Sequence, residues 1–359
     1  MPVTPHTFAL TPGRINKYKG EILGHAEPTE VLSKHGRQVR KLPQNQSDTY
    51  VARRFLPYGA TSTNGTTQNT FFANGTGDRA NVIVQAHLTQ EGVTPNPESI
   101  VPMDVTVVVQ QYSCLYGFSD KTYNLYEDDI PKEMIKQVGE RVTLVNELII
   151  WGVLRGCTNQ YFGGTGTTQA TVNGAITLGL LRKITKSLQA NHAKPVNSVL
   201  SAGAKFNTAP VAEGFTIFIH TDAEPDIRDI PGFVPSEEYA SGKPMDNEIG
   251  KVERMRFITS PDLPAFQDAG AAIGATNLYS TTGTSIDVYP FVVIGQDAWS
   301  QIAVRGVDAL KPTYLPPGLQ TKSDQFGQRG YAGTIWWKAA LVENNGWMAV
   351  GNVGLKNLS

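Results

Sequence analysis

Apolar and polar residues alternate over several short stretches of the chain, a pattern that is typical of β-strands. The strongest example is residues 105–116, where valines alternate with polar or mixed positions. Residues 38–58 predict two strands on either side of a turn at 43–46, because that turn is rich in Pro, Gln and Asn. A further strand is predicted at 81–87. The first third of the chain is therefore expected to be largely β-structure.

A single long helix is predicted over residues 130–156, where the apolar period changes from two to about 3.6. The residues of its apolar stripe, spaced by three or four, are Met134, Val138, Val142, Val145, Ile149 and Val153. Asp128 and Asp129 supply an N-cap, Pro131 suits the first turn, and the basic Arg155 suits the last. A helix of roughly 25 residues would span nearly 40 Å. We interpret it as a structural spine.

A glycine-rich segment at 162–168 predicts a linker into a second lobe, in which helices and strands alternate irregularly. Helices are predicted at 178–189, 222–227 and 297–305. Strands are predicted at 215–220, 252–258, 288–294, 334–339 and 348–350. This order predicts a mixed α+β protein and not a regular βαβ repeat.

Residues 59–80 consist almost entirely of Thr, Asn and Gly, interrupted by Phe71 and Phe72. Such a segment buries too little apolar surface to form a core, so we expect a long loop. The chain as a whole contains 35 glycines and 22 prolines in 359 residues. That is somewhat above average usage and fits a turn-rich protein containing β-structure.

Charge is unevenly distributed, although the formal net charge is only −1. Residues 1–54 contain nine basic and four acidic residues, a net charge of +5, which leaves −6 for the remainder. The near-neutral total argues against a surface devoted entirely to nucleic acid. Two interpretations of the basic segment stay open. It is a solvated arm, or it is an extended arm that meets an acidic partner or nucleic acid.

The two cysteines, Cys114 and Cys157, exclude a disulfide scaffold and a Cys-based zinc site. A single bridge is possible, but two free buried thiols are the preferred interpretation. No stretch approaches the ~20 apolar residues of a membrane span. Residues 1–10 lack the pattern of a signal peptide. We therefore expect a soluble protein made in a cytoplasm.

No constellation of catalytic residues emerges from the sequence. The glycine run at 163–166 lacks the Lys-Ser/Thr of a phosphate-binding loop, the six histidines are scattered, and no nucleophile elbow occurs. The acidic stretch at 222–229 could offer carboxylates to a divalent cation, but its spacing is not that of a calcium loop. We favour a helix cap there. The sequence therefore predicts no enzyme activity, no cofactor and no metal.

Seven segments of the sequence are specific enough to compare with known families. They are LTQEGVTP (88–95), GER to GCTN (139–159), FIHTD (218–222), DIR (226–228), GFVP (232–235), EIGKVERMRFITSP (248–261) and YPFVVIGQDA (289–298). In this order, over about residues 28 to 352, the chain resembles the major capsid proteins of tailed phages, and specifically the N-four-type podophage coat family, which uses the Hong Kong 97-type capsid fold. Residues 1–30 and 59–80 depart from the family pattern.

The resemblance implies the α+β layout of a Hong Kong 97-like fold. The implied parts are an N-terminal arm (1–37), an extended hairpin loop with peripheral-domain strands (38–113), a peripheral domain (114–171) with the spine helix 130–156, an axial domain (172–310) and a return to the peripheral domain (311–359). It further implies that the chain assembles with itself into hexamers and pentamers of an icosahedral head enclosing double-stranded DNA.

Candidate inter-subunit contacts in this layout are Arg53, Arg54, Phe71 and Phe72, and candidate DNA-facing residues of the arm are Arg14, Lys17 and Lys19. The implied partners also include a portal protein and, in addition, scaffolding and decoration proteins, with no membrane. The implied location is the virion, after assembly in the host bacterial cytoplasm. A phage decoration or tail protein is the alternative interpretation, and a hydrolase with an unrecognised site is a more distant one.

Overall fold

The structure, a computed structural model, describes residues 30–35, 37–45, 47–55, 60–63, 66–69, 88–89, 91–94, 100, 102–125, 129–199, 209–239, 244–274, 276–306, 312–320 and 324–358. Its helices are α1 (Leu32–His35), α2 (Asp120–Leu125), α3 (Ile130–Leu154), α4 (Leu178–Ala190) and α5 (Glu224–Arg228). The predicted strand at 81–87 and the residues Phe71, Phe72, Arg14, Lys17 and Lys19 lie outside the described residues.

Seventeen strands are present in the described residues, and they form two large sheets and two two-stranded sheets. The first eight strands are β1 (Arg37–Leu42), β2 (Thr49–Phe55), β3 (Ala60–Thr63), β4 (Thr66–Asn69), β5 (Pro102–Val108), β6 (Gln110–Ser119), β7 (Gln160–Phe162) and β8 (Val196–Val199). The others are β9 (Ala209–His220), β10 (Phe233–Pro235), β11 (Glu248–Val252), β12 (Met255–Ser260), β13 (Tyr289–Ile294), β14 (Trp299–Val304), β15 (Thr313–Leu315), β16 (Arg329–Val342) and β17 (Met348–Val353).

A five-stranded sheet is built around β16, the longest strand. β16 pairs antiparallel with β6, from Arg329 opposite Ser119 to Lys338 opposite Gln110. It also pairs with β14 and β15, and β1 joins the outer side of β14 in parallel. The sheet therefore combines strands from the beginning, the middle and the end of the chain.

An eight-stranded sheet follows the order β10-β11-β12-β9-β13-β17-β7, with β8 paired to β9. β9 and β12 are parallel, whereas β13 is antiparallel to both β9 and β17. Helices α4 and α5 pack on one face of this sheet through a core that includes Ile184, Ile217 and Ile227. A second core on the other face joins the sheet to α3 and to β14 and β16.

Helix α3 matches the predicted spine closely. Asp129 caps it, since the Lys132 backbone N–H donates to the Asp129 carboxylate at 3.3 Å, and the helix ends at a cap on Arg155. The buried stripe agrees with the prediction through Val142 and then changes position. It continues through Asn146, Ile150 and Leu154 rather than through Val145, Ile149 and Val153. Glu147 and Trp151 are buried beside Asn146 and Ile150, so the buried face is wider in this half of the helix.

Buried polar groups explain that change of face. The indole N–H of Trp336, on β16, donates to the Asn146 side chain at 3.0 Å. The carboxylate of Glu147 accepts the backbone N–H groups of Leu32 and Ser33 at 2.9 and 3.1 Å, which fastens α1 to the spine helix. Burial raises the pKa of the Glu147 carboxyl group, and these backbone hydrogen bonds partly offset that rise. Polar residues thus occupy positions that an apolar pattern cannot identify.

Most predicted elements are confirmed, but the loop predicted at 59–80 contains the two antiparallel strands β3 and β4. α4, α5, β1, β2, β9, β13, β16 and β17 all fall where the pattern places a helix or a strand. Two predicted strands are each split into a pair, 105–116 at Val109 and 252–258 at a turn through Glu253, which has φ +53°. Cys114 and Cys157 are free and buried, and burial raises the pKa of the Cys157 thiol to about 11.

The helix predicted at 297–305 is wrong, because these residues contain the strand β14. β14 lies between β1 and β16, and its residues 299–303 are buried. A strand buried on both faces shows no polar alternation, so its sequence pattern does not reveal it. Sheet membership also differs from the division at 310–311: β14 belongs to the five-stranded sheet, and β17 belongs to the eight-stranded sheet.

A buried ion pair in the eight-stranded sheet gives a test of this packing. The guanidinium of Arg256 lies 3.0 Å from the Glu248 carboxylate, and both side chains are almost completely buried. Glu248 also accepts the Tyr239 hydroxyl and the Met245 backbone N–H, each at 2.7 Å. Arg182 and Glu253 form a comparable pair at an exposed position on the same domain.

We expect Arg256→Ala to lower the free energy of unfolding by about 3–5 kcal/mol, since it leaves the Glu248 charge buried without its partner. Arg182→Ala is the matched control and should leave the urea midpoint almost unchanged, because exposed pairs contribute little. Equal effects of the two substitutions on the urea midpoint would contradict the assigned burial.

Candidate assembly interface

The antiparallel ribbon formed by β2 and β5 is the first candidate interface. It pairs Thr49 with Val108 at one end and Phe55 with Pro102 at the other. Within the described residues neither strand joins another sheet. Exposure alternates along both strands, so the ribbon has one half-buried face and one exposed face.

The inner face of the ribbon packs on its own chain. Its apolar residues are Tyr50, Ala52, Val105 and Val107. They contact a core formed by Leu42, Val109, Ile302, Ala339 and Leu341, together with Trp337. The ribbon is therefore held against one part of the five-stranded sheet.

The outer face exposes large apolar side chains to solvent. Val51 is 51% exposed, Phe55 64% and Val108 44%. An isolated two-stranded ribbon is marginally stable in water, and exposed apolar groups that cluster on one face are typical of interaction sites. This face is thus suited to contact with another surface.

Arg53 and Arg54 lie on opposite faces of the ribbon. Arg53 is on the outer face, where its Nε and Nη2 donate to the two Asp104 carboxylate oxygens at 2.7 and 2.8 Å. Arg54 is on the half-buried face, its Nη2 3.2 Å from the Met103 sulfur, and burial lowers its pKa against the opposing charge of Glu343. Strand alternation therefore places the two arginines on opposite faces of the ribbon.

Part of the five-stranded sheet forms a second exposed apolar surface, which we call the bare sheet face. It consists of Leu115, Leu315 and Ile335, which are 53%, 38% and 60% exposed. The register of β16 places Ile335 on the same face as Trp337, Ala339 and Leu341, which the ribbon covers. Helix α3 covers the opposite face through Cys114 and Trp336.

The bare sheet face is assembled from strands that are far apart in the sequence. The pairing of β6 with β16 brings together Leu115 and Ile335, residues that are 220 positions apart in the chain. A signal was available in part, because 334–339 is predicted as a strand and alternation assigns Ile335 to the face opposite Trp336. Its pairing partner could not be predicted from the local pattern.

The acidic stretch at 222–229 has structural partners. The Tyr289 hydroxyl donates to Asp222 at 3.1 Å, Arg228 pairs with Glu224 at 2.7 Å, and the Lys356 backbone N–H donates to Asp226 at 2.9 Å. The predicted cap is wrong, because α5 begins after Ala223 with no side-chain cap, whereas Glu224 and Asp226 do lie in its first turn as expected. Among the described residues, no group of three or more His, Cys, Asp or Glu side chains is arranged to hold a metal ion.

A cavity of about 660 Å³ opens beside this stretch, lined by Tyr279, Tyr289 and Leu355 among others. Its charged groups, including Arg228 and Asp222, are engaged in the contacts described above.

In the part of the chain that the structure describes, no helix is both long enough and apolar enough to cross a membrane.

Comparison with solved structures shows the fold. A chain from the capsid of Ralstonia phage GP4 matches with a TM-score of 0.64 and 10% identity, over 99% of this chain and 100% of that one. The capsid of cyanophage Pam1 gives 0.57 and 12%, over 98% and 99%. The head of Helicobacter pylori bacteriophage KHP40 gives 0.56 and 12%, over 98% of both chains.

Comparison with curated sequences gives a match over part of the chain. The major capsid protein of Pseudomonas phage KPP21 is 21% identical over 236 residues, which are 62% of this chain and 59% of the relative. The chain thus aligns with somewhat over half the length of that relative. No family model matches. The structural matches show that this mixed α+β architecture is the fold found in phage capsids.

The Arg53–Asp104 pair predicts a pH dependence of the ribbon. Hydrogen bonding to Arg53 lowers the pKa of Asp104 below its usual value. A carboxylate whose pKa is lower in the folded state than in the unfolded state stabilises the fold at every pH above its unfolded pKa, which is about 3.9. This stabilisation is lost as the pH falls through the pKa of the folded state.

We expect Asp104→Asn to speed amide hydrogen exchange in β2 and β5 about two- to fivefold at pH 7, the range of exposed ion pairs. The ratio of variant to wild type should fall toward one at the lowest pH at which the protein stays folded, because Asp104 is then increasingly protonated. Glu253→Gln, which breaks another exposed pair, is the control and should leave the ribbon unaffected. A ratio that is the same at both pH values would refute the assignment.

Proposed function

We propose that this chain is the major capsid protein of a tailed phage, of the N-four-type podophage family with the Hong Kong 97-type fold. The observation that carries the proposal is the match to a phage capsid chain over 99% of this chain and 100% of that one. The relative named as a major capsid protein supports it independently of the structural match. In this role the working part of the protein is its interfaces, and no catalysis is required.

The proposed subunit consists of an arm, a hairpin loop, a peripheral domain and an axial domain. The five-stranded sheet with α3 corresponds to the peripheral domain, and the eight-stranded sheet with α4 and α5 corresponds to the axial domain. β14 precedes residue 310 and joins the five-stranded sheet, whereas β17 follows it and joins the eight-stranded sheet. Each domain therefore includes strands from both sides of residue 310. Folding one domain alone would therefore leave a sheet incomplete.

Assembly in this proposal buries two surfaces that a single subunit leaves exposed. The outer face of the ribbon presents Val51 and Phe55, and the bare sheet face presents Leu115 and Ile335. The ribbon covers one part of the five-stranded sheet in its own chain, and a ribbon from a neighbour would cover the adjacent part. Stable protein interfaces bury about 1,200–2,000 Å², so further contacts must add to this one.

The remaining partners follow from the same role. The subunits would form hexamers and pentamers of an icosahedral head, joined by a portal protein and accompanied by scaffolding and decoration proteins. The basic arm, with Arg14, Lys17 and Lys19, would neutralise phosphates of packaged double-stranded DNA. The protein would reside in the virion after assembly in the host bacterial cytoplasm.

Electron microscopy of the purified protein tests the proposal. We expect closed shells, or rings of five and six subunits, in solution or after addition of a scaffolding protein. A protein that stays monomeric in every condition, including with its own phage's scaffolding protein, would contradict it.

Val51→Asp combined with Phe55→Asp tests the ribbon. These side chains are exposed in the subunit, so the variant should fold normally, with an unchanged thermal midpoint. Burying an apolar side chain contributes roughly 1.5–3 kcal/mol, so the assembled fraction should fall at least about tenfold. Leu358→Asp, at a residue 74% exposed and outside both surfaces, is the control. Shells formed equally well by the double variant would rule out the ribbon contact.

A further inference from the structure

The eight-stranded sheet and the elements around it carry two regions of opposite charge. Residues 148–212 contain no acidic residue and six basic ones, which are Arg155, Arg182, Lys183, Lys186, Lys194 and Lys205. Residues 222–238 contain six acidic residues, which are Asp222, Glu224, Asp226, Asp229, Glu237 and Glu238, and a single basic one, Arg228. The split of +5 and −6 along the chain therefore conceals a second asymmetry within the −6 portion.

The basic region presents lysines on the solvent side of α4. Leu181, Ile184 and Leu188 face the core, whereas Lys183 and Lys186 are exposed. Among the described residues neither lysine has a carboxylate within ion-pair distance, and the ammonium of Lys183 lies 5.7 Å from the ring centroid of Tyr161, on β7. Their positive charges are thus not neutralised by the described part of their own subunit.

The acidic region contains both paired and unpaired carboxylates. Glu224, Asp226 and Asp229 pair with Arg228 or Lys356. Glu237 and Glu238 differ, because both are exposed in the single 3₁₀ turn Ser236–Glu238 that follows β10. In the described part of the chain no cationic group pairs with either of them.

The two unpaired regions do not pair with each other in the described part of the subunit. Helix α4 lies across the sheet: Lys183 is beside Tyr161, on β7, whereas Arg182 pairs with Glu253 in the turn between β11 and β12. Glu237 and Glu238 follow β10, the neighbour of β11. Since neither lysine and neither glutamate has an oppositely charged partner within ion-pair distance among the described residues, all four charges are available to another molecule.

We propose that Lys183 and Lys186 of one subunit contact Glu237 and Glu238 of the next subunit. The two surfaces differ, so the contact is head-to-tail, the type of interface that generates closed rings when the rotation between copies closes. The inference rests on the proposed function, in which such rings are the pentamers and hexamers of the head. Opposite charges at this contact also favour the correct orientation over like-charge encounters.

A charge-swap experiment tests this contact by measuring the assembled fraction in about 150 mM salt with sedimentation and electron microscopy. We expect Lys183→Glu with Lys186→Glu to lower the assembled fraction about tenfold or more, and Glu237→Lys with Glu238→Lys to do the same. The variant carrying all four substitutions keeps the wild-type net charge and should recover most of the assembly. Lys121→Glu with Lys132→Glu, on α2 and α3, matches the first change in net charge and should assemble normally.

The other outcomes overturn the contact in distinguishable ways. Wild-type assembly by both double variants would overturn it while leaving the proposed function intact. Loss of assembly without recovery in the fourfold variant would also overturn it. Loss of binding to double-stranded DNA by the lysine variant alone, with assembly retained, would assign the lysines to nucleic acid instead. A wild-type protein that never assembles would contradict the proposed function and this contact together.

Discussion

A two-stranded ribbon has two faces, and this chain provides a sheet that covers only one of them. Tyr50, Ala52, Val105 and Val107 pack on the five-stranded sheet, which leaves Val51 and Phe55 in water on the other side. Apolar side chains that a β-strand fixes in an exposed position favour association, because burying each of them in an interface lowers the free energy of the assembled state. The same constraint applies to the sheet, because α3 covers one of its faces and the ribbon covers the other only in part.

Buried polar contacts keep these exposed surfaces in fixed positions. The Asn146–Trp336 hydrogen bond sets α3 on β16, and the Glu147 carboxylate holds α1, which leads directly into β1. β1 in turn pairs with β14, and Arg40 on β1 bridges Tyr50 on β2 and Glu343 beyond β16, at 3.0 and 2.8 Å. A series of specific contacts therefore connects the spine helix to the base of the ribbon. Rigid placement of this kind lowers the entropic cost of forming an interface.

Local patterns in the sequence predicted elements well and their long-range arrangement poorly. The spine helix, its Asp129 cap and the strands on either side of the 43–46 turn follow from periodicity and capping. β14 could not be predicted in this way, because burial on both faces removes the polar alternation. The sheet to which β14 or β17 belongs depends on pairings between strands that are far apart in the sequence, and a local pattern does not contain this information.

The candidate interface shows the same division. Arg53 and Arg54 are predicted together as contacts, but strand alternation places Arg53 on the outer face beside Asp104 and Arg54 on the half-buried face. The bare sheet face could not be predicted, because Leu115 and Ile335 become neighbours only through the β6–β16 register. The unpaired lysines of α4 are visible in the sequence as basic residues, but only the fold shows that they and the unpaired glutamates border the same eight-stranded sheet.

The most direct measurement is a cryo-electron microscopy reconstruction of particles assembled from this chain, at a resolution that shows side chains. The account predicts that Val51 and Phe55 of each ribbon lie in van der Waals contact with Leu115 and Ile335 of a neighbouring copy. A reconstruction in which the outer face of the ribbon stays in solvent, or contacts only its own chain, would contradict it.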